Sequence, residues 1–327
     1  MKNILVTGGT GFIGSNLTQK LLAEGYNVTI FRRETSNLFG INGIDVEHRI
    51  GDVRDKESIR KAMEGCDTVF HTAATVSFWR KKRDLIYEVN VIGTRNVAEA
   101  ALEVGVERLV YTSSVAAFGY RTDGKPTDET TEFNWGPLNI PYKNSKYEAE
   151  QEILKAVQKG LAAVIVNPTV VIGARDLHFH GGQLIRDVKR GLAPLYLDSW
   201  INVVYVGDVV FGHIQAAKKG RVGERYILCG ENLKTKDAFE RTAKIVGGLR
   251  PKIRVPFLFA KAAARICDLI AAVTNTKPLL TPELIAAAQY ENSYTAEKAM
   301  RELDYRITPF EVAVREAYEW YVEHGMI

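Results

Sequence analysis

NILVTGGTGFIG, residues 3–14, is the stretch that decides the fold of this chain. Its first five residues form an apolar run with the length of a buried strand. Glycines follow at positions 8, 11 and 14, and then Leu17, Leu21 and Leu22 recur at helical spacing until Gly25. A strand, a glycine turn and a helix in this order are typical of a dinucleotide-binding motif, so we predict a nucleotide cofactor here.

Three glycines of this turn have separate physical roles. Gly8 allows a tight turn, Gly11 lets a pyrophosphate approach the backbone because it has no Cβ, and Gly14 lets the helix pack closely. The helix N-terminus then faces the phosphate charge. A glycine-rich turn without a ligand is the alternative, which the position between strand and helix disfavours. The predicted cofactor contacts in this stretch are Gly8, Thr10, Gly11, Phe12 and Ile13.

Further apolar runs alternate with helical stretches along the chain. The predicted strands cover residues 28–31, 45–50, 68–72, 108–112, 162–167 and 226–228. The predicted helices cover residues 56–63, 84–103 and 142–158. This alternation predicts an α/β fold of the Rossmann type, a doubly wound parallel sheet with right-handed crossovers.

The regular alternation ends after about Gly173. Residues 174–200 and the region after Gly230 are expected to be mostly helical or irregular, whereas residues 201–229 are expected to return to the sheet. We therefore predict a dinucleotide-binding Rossmann domain made of residues 1–173 plus about 201–230. Residues 174–200 plus 231–327 should form a smaller, mostly helical substrate-binding lobe.

Two arginines stand at the end of the second predicted strand, about 20 residues after the glycine turn. An NAD site usually has an acidic residue at this place, whereas an arginine suits the 2′-phosphate of NADP. Arg32 and Arg33 could hold that phosphate with charge-assisted hydrogen bonds. The alternative is a pair of surface arginines, with Glu34 binding the ribose of NAD. We favour NADP(H).

The composition is that of a soluble globular protein, with 46% hydrophobic and 25% charged residues among 327. The net charge of +4 does not indicate nucleic acid binding, because no basic cluster accompanies an aromatic stacking platform. The densest basic run, WRKKR at residues 79–83, is expected to be a solvated loop or helix start.

The chain has three cysteines without a metal-binding spacing, Cys66, Cys229 and Cys267. We expect them to be reduced thiols of a cytoplasmic protein.

No integral membrane segment is predicted. The longest apolar-rich stretch runs from Val255 to Val273, and it contains Lys261, Arg265 and Asp268. Those charges argue against a membrane-spanning helix, and we expect an amphipathic helix of the core instead. The first strand begins at the N-terminus, so no signal peptide is expected.

A phenol and an ammonium lie four residues apart in YKNSK, residues 142–146. On a helix Tyr142 and Lys146 share one face, and the cation should lower the pKa of the phenol toward the range of an acid–base catalyst. Ser114 ends a strand at the same edge of the sheet and could hold a substrate carbonyl oxygen. Such residues are often only surface groups, but the glycine turn and the chain order favour a catalytic set.

These motifs together resemble the extended short-chain dehydrogenase/reductases, over nearly the whole chain. Within them the chain resembles the dihydroflavonol-4-reductase-like branch and bacterial hopanoid-associated sugar epimerases of the NAD-dependent epimerase/dehydratase family. The segments that carry the resemblance are 7–14, Asp52, 71–74, 111–116, 142–146, 167–173, 202–206 and 230–233.

The resemblance implies roles for particular residues. It implies that Ser114, Tyr142 and Lys146 are catalytic and that Asp52 lies near the adenine. Arg33 matches an NADP-selecting arginine, and Arg32 stands where NAD-using epimerases carry Asp. Gly207-Asp208 departs from the two acidic residues common in relatives, which we interpret as structural. The remaining predicted cofactor contacts are Val53, Thr72, Ala73, Ala74, Pro168, Val170 and Val171, with Tyr142 and Lys146 shared.

The favoured function is an NADPH-dependent carbonyl reductase acting on an aldehyde or ketone, or in reverse on an alcohol. The alternative is a nucleotide-sugar epimerase or dehydratase that holds NAD tightly, which Asn167 supports by matching a substrate-contacting Asn of sugar epimerases. A non-catalytic dinucleotide sensor is a third hypothesis, and the intact Ser114, Tyr142 and Lys146 count against it.

Substrate contacts are predicted at Ser114, Phe118, Asn167, Trp200 and Tyr205, although the aromatic residues are also candidates for the core. No metal site is predicted, because His178 and His180 lack a third ligand. The helices at 84–103 and 142–158 could pair in a homodimer or be covered by the chain's own loops.

Overall fold

Seven parallel strands form the central sheet of the structure, a computed structural model that describes residues 1–192, 194–278, 280–290 and 293–327. Their order is β10-β6-β5-β4-β1-β2-β3. The strands of the described chain are β1 (Asn3–Thr7), β2 (Asn27–Arg32), β3 (Glu47–Ile50), β4 (Thr68–His71), β5 (Arg108–Thr112), β6 (Ala163–Pro168), β7 (Val170–Ile172), β8 (Leu195–Tyr196), β9 (Trp200–Tyr205), β10 (Arg225–Leu228), β11 (Glu231–Lys234) and β12 (Ile253–Arg254).

Helices cover both faces of this sheet. The helices are α1 (Phe12–Ala23), α2 (Lys56–Met63), α3 (Arg83–Tyr87), α4 (Gly93–Val104), α5 (Pro141–Gln158), α6 (Gln183–Lys189), α7 (Val206–Lys219), α8 (Thr235–Val246), α9 (Phe257–Thr274), α10 (Pro282–Ala288), α11 (Glu297–Leu303) and α12 (Phe310–Glu323). One apolar core joins the sheet to α1 and α7, and a second joins it to α2, α4 and α5. The predicted Rossmann-type doubly wound sheet is therefore confirmed.

The strand order reverses between β1 and β4, and this point places the site. Both strands pair in parallel with each other, and β2 and β5 follow on their outer sides. In such sheets ligands bind beyond the carboxyl ends of the strands at the reversal. The glycine turn follows β1 at that edge, and Ser114 comes two residues after the end of β5.

The predicted helix 84–103 contains a turn that the sequence did not indicate. A π-helical turn, Glu88–Ile92, lies between α3 and α4 and continues both without a break. The helix ends where expected, because Gly105 adopts a left-handed conformation with φ of 77°. Asn90 lies in the π turn and is buried.

A three-stranded sheet with the order β11-β9-β7 adjoins the central one. β9 pairs in parallel with β7 and in antiparallel with β11. Residues 201–229 thus return to the central sheet only in part, because β9 pairs elsewhere and β10 alone adds a strand there. β12 pairs with β8 in a further two-stranded sheet, and apart from these short strands the C-terminal part is helical, as expected.

The expectation that Val255–Val273 forms a core helix is wrong for most of its surface. α9 buries only Ala260, Ala264 and Ala271. Small residues on that side allow close packing with the half-buried Phe257, while six other large apolar side chains point to solvent. Over the described residues, none of the helices combines the length and apolarity needed to cross a membrane.

Candidate active site

The glycine turn after β1 is held against the backbone of the loop after β4. Gly8 has a φ of +70°, which only glycine adopts readily, and its N–H donates to the Phe31 carbonyl at 3.2 Å. A Cβ on Gly8 would lie 2.7 Å from the Cα of Ala73. The Thr72 hydroxyl donates to the Thr7 carbonyl at 2.7 Å and fixes the two segments together. Position 8 must therefore lack a side chain, because the backbone of residues 72 and 73 lies so close to it.

The other two glycines differ in what surrounds them. A Cβ on Gly14 would lie 2.2 Å from the Gly8 carbonyl oxygen, so helix α1 could not pack where it does. A Cβ on Gly11 would approach only that same oxygen, at 3.2 Å, and would otherwise project into open space. Gly11 precedes α1, and no side chain caps the N–H groups of its first turn. The open backbone and the positive helix end fit a pyrophosphate.

The two predicted cofactor-selecting arginines have different surroundings. The Arg32 Nε donates to His48 Nδ1 at 2.9 Å and thereby ties β2 to β3. Arg33 is exposed, and its charge contributes to lowering the pKa of Asp52. The larger cause of that lowering is Arg54, whose guanidinium lies 2.8 Å from the Asp52 carboxylate. Arg33 is thus the more accessible of the two cations.

Other predicted cofactor contacts lie at the carboxyl edge of the central sheet. Val53 follows Asp52 and is buried against Gly93 of α4. Pro168 ends β6, and Val170 and Val171 begin β7, where the chain leaves the central sheet. The edge is continuous from the end of β3 to the end of β6 through β2, β1, β4 and β5.

Ser114 and Tyr142 come together at this edge. Ser114 caps a short helix, because its Oγ accepts the N–H of Ala116 at 3.2 Å. Pro141 starts α5 and so places Tyr142 in its first turn. Burial raises the pKa of the Tyr142 phenol, and a hydrogen-bonding interaction with the Ser114 side chain opposes that rise. The ring of Phe78 packs edge-on against Tyr142, with centroids 5.5 Å apart.

Lys146 lies one helical turn after Tyr142, but its ammonium forms a hydrogen bond with the backbone of β5 and not with the phenol. Its Nζ donates to the Thr112 carbonyl at 2.9 Å. Burial lowers the pKa of Lys146 to about 8, against an opposing effect of the Glu150 carboxylate. The expected lowering of the Tyr142 pKa by this cation is therefore wrong in this structure, because burial of the phenol dominates.

The sequence did not single out Glu150, which continues the same face of α5. It is fully buried, and its carboxylate accepts from the Asn167 amide at 2.6 Å and lies 3.5 Å from Arg225. Burial raises the pKa of Glu150, while Arg225 is the largest opposing influence. The four-residue spacing of Tyr142, Lys146 and Glu150 was the available signal.

Asn90 is a second functional candidate that the sequence did not indicate. Its side chain accepts the Thr75 N–H at 2.8 Å and donates to the Thr75 carbonyl at 3.0 Å. It also donates to the Ser145 hydroxyl at 3.0 Å, and that hydroxyl bonds the Tyr142 carbonyl. Asn90 therefore links the loop after β4 to the start of α5 by hydrogen bonds. Because Tyr142 lies in the first turn of α5, these bonds help to position it.

The predicted substrate contacts are not all gathered at Tyr142. Asn167 is buried, and its amide donates to the Ser114 carbonyl at 3.0 Å. Phe118 is buried under the Arg225 guanidinium.

Trp200 lies beneath the Lys234 ammonium, and the Tyr205 hydroxyl bonds Glu316 of α12. Asn167 and Phe118 thus support the site from within the core, and the roles of Trp200 and Tyr205 stay predictions.

A buried cation adjoins this region. The Lys143 ammonium lies 3.7 Å from the centroid of the Trp135 ring, and burial lowers the pKa of Lys143 to about 7. Trp135 in turn packs against Tyr120 and Tyr290. Among the described residues no group of three His, Cys, Asp or Glu side chains is arranged to hold a metal ion.

Comparison with known proteins adds independent findings. Residues 4–229 match the NAD dependent epimerase/dehydratase family. A putative dihydroflavonol 4-reductase from Synechocystis sp. is 36% identical over 98% of this chain and 95% of its own length. Sterol demethylase protein B from Methylococcus capsulatus is 32% identical over 99% of both chains. The crystal structure of gox2253 covers 100% of both chains with a TM-score of 0.89 and 37% identity.

Proposed function

The chain belongs to the NAD-dependent epimerase/dehydratase family, and on that premise we propose that it is an NADPH-dependent carbonyl reductase of the dihydroflavonol-4-reductase-like type. The observation that carries the proposal is the meeting of Ser114 and Tyr142 beside the glycine turn. The Rossmann part, residues 1–173 plus about 201–230, would bind the cofactor. The remaining residues would bind the substrate.

In this proposal the chain's own residues polarise the carbonyl group and protonate it. Ser114 and Tyr142 would both donate hydrogen bonds to the carbonyl oxygen, and the phenol proton would pass to that oxygen. The raised pKa of Tyr142 keeps the phenol protonated at neutral pH, as a proton donor requires. A bound nicotinamide would supply the hydride. Lys146 would lie beside the bound cofactor, and its ammonium, held by the Thr112 carbonyl, does not lower the pKa of the phenol.

The glycine turn and α1 would hold the pyrophosphate, since an open Gly11 and an uncapped helix end face the same place. Asp52 and Val53 would lie toward the adenine, and Pro168, Val170 and Val171 toward the nicotinamide. The names of two relatives, a dihydroflavonol 4-reductase and a sterol demethylase protein, support a dihydroflavonol or a sterol as the first substrates to test.

The reaction class is tested by steady-state assay of the purified chain. A reductase should oxidise added NADPH with aldehydes or ketones, because its cofactor exchanges in each turnover. The competing function is a nucleotide-sugar epimerase, because the matched family includes epimerases by its name. Copurified NAD together with epimerisation of a nucleotide sugar would replace the reductase with that function.

Replacing Arg33 by Gln should weaken NADPH binding by roughly 10- to 100-fold and leave NADH binding nearly unchanged, because a charge-assisted hydrogen bond to a phosphate would be lost. Arg32→Gln is the matched control. It should have the smaller effect, since the Arg32 guanidinium is already bonded to His48. Fluorescence titration of both cofactors against each variant measures the difference. Equal affinity of the native chain for NADPH and NADH would contradict the assignment.

A further inference from the structure

Helix α9 exposes a continuous apolar surface, which we call the α9 face. Its six large side chains are each between 54% and 88% exposed. They recur at positions that fall on one side of a helix, opposite the buried Ala260 and Ala264. The members of the α9 face are Leu258, Phe259, Ile266, Leu269, Ile270 and Val273. A contiguous exposed apolar surface of this kind marks an interaction site.

Basic residues border the α9 face. Lys261 and Arg265 lie one turn apart along one edge of it, and both are exposed. Lys277 follows just after the helix end. Within the described parts of the chain, none of these three side chains forms an ion pair, whereas Lys236, Arg241 and Lys298 do. Asp268, three residues after Arg265, is the single acid on the helix, so the border carries a net positive charge of three cations against one carboxylate.

A second basic group reaches the C-terminal end of α9. The Lys81 ammonium donates to the Asn275 side chain at 2.9 Å, and Arg80 pairs with Glu283 of α10. Lys82 and Arg83 continue this run and are exposed. The WRKKR run expected to be a solvated loop therefore adds its charge to the same side of the molecule.

We propose that the α9 face docks the protein on the surface of an anionic lipid bilayer. The apolar side chains would enter the acyl boundary while the bordering cations meet lipid phosphates, as in interfacial amphipathic helices. A second copy of the chain fits less well, because pairing two α9 faces would bring two sets of unpaired cations together. An anionic leaflet satisfies both the apolar surface and its charge.

This docking would place the bilayer next to the candidate active site. Arg80 and Lys81 terminate the loop that begins after β4 and that carries Phe78. Phe78 packs on Tyr142, so one loop of about ten residues joins the phenol to the α9 end. The proposal does not depend on the proposed function, because it concerns binding to lipid alone.

The test is co-sedimentation of the full chain with vesicles of phosphatidylcholine, with or without phosphatidylglycerol. We expect binding to the anionic vesicles only, and release at high salt. Phe259→Gln with Ile266→Gln should reduce the partition coefficient at least roughly tenfold. Lys261→Gln with Arg265→Gln should reduce it roughly 25-fold, since each cation contributes about a fivefold factor.

The matched control is Val312→Gln with Val322→Gln, the same kind of change at two exposed apolar positions of α12. It should leave vesicle binding unchanged, and circular dichroism should report an intact fold for all variants. Absence of binding to anionic vesicles would overturn the proposal, as would full binding by the Phe259/Ile266 variant. A dimer in light scattering that this variant converts to a monomer would assign the α9 face to a second copy instead.

Discussion

Tyr142→Phe should lower the turnover of carbonyl reduction by roughly a hundred- to ten-thousand-fold, the range that a positioned proton donor contributes. The change removes only the hydroxyl group. The ring should keep its contact with Phe78, and the fold and cofactor affinity should survive. Stopped-flow or steady-state measurement on an established ketone gives the rate, and cofactor titration gives the affinity.

The matched control for this change is Tyr147→Phe in the same helix. Tyr147 stacks on Phe133, with centroids 4.5 Å apart, and lies on a different face of α5 from Tyr142. Its variant should keep native turnover.

Ser114→Ala should lower turnover alone, whereas Lys146→Ala should also weaken cofactor binding. Near-native turnover of Tyr142→Phe would require another acid, and the assignment of all three residues would then fail.

Gly11→Ala and Gly14→Ala should separate cofactor binding from folding. A Cβ at Gly11 approaches only the Gly8 carbonyl oxygen, at 3.2 Å, so the fold should adjust with little loss. The methyl group would stand where the pyrophosphate should lie, so cofactor affinity should fall while the fold is kept. Isothermal titration with NADPH measures this loss.

Gly14→Ala should instead lower the free energy of unfolding by about 1–3 kcal/mol or more, because its Cβ would lie 2.2 Å from the Gly8 carbonyl oxygen. Urea denaturation measures the change. Gly136→Ala is the control, since open space surrounds that position. A Gly11→Ala variant that bound NADPH with native affinity would show that the turn does not hold the pyrophosphate.

The central sheet was predictable because its strands are short apolar runs between recognisable helix signals. β1, β5 and α2 were predicted with the bounds that the structure has. The three-stranded sheet was missed because β7 and β11 have only a few residues each, and their partner β9 is distant in sequence. Such pairing depends on tertiary contacts that no local pattern reports.

The sequence predicted the main residues of the site, but not their burial or the buried polar residues that contact them. The approach of Ser114 and Tyr142 followed from strand ends and helix spacing, whereas the direction of the Tyr142 pKa did not. That direction depends on burial, which a short motif does not reveal. Asn90 and Glu150 were missed for the same reason, since a polar residue in a helix carries no sign of whether it faces water or the core. The prediction for α9 was wrong in the opposite sense, because apolar side chains expected in the core are exposed. The helix buries its alanines instead of its large side chains.

The π turn at Glu88–Ile92 has a consequence for how the chain length can vary in evolution. A π turn holds one residue more than the α-helical turn it replaces. Deleting one residue here would restore regular α-helical winding with α3 and α4 nearly in their present relative orientation, and the residues left within the turn would point in other directions. Asn90 would then leave both Thr75 and Ser145. Single-codon gain or loss, tolerated in surface loops, is thus expected to be selected against in this segment.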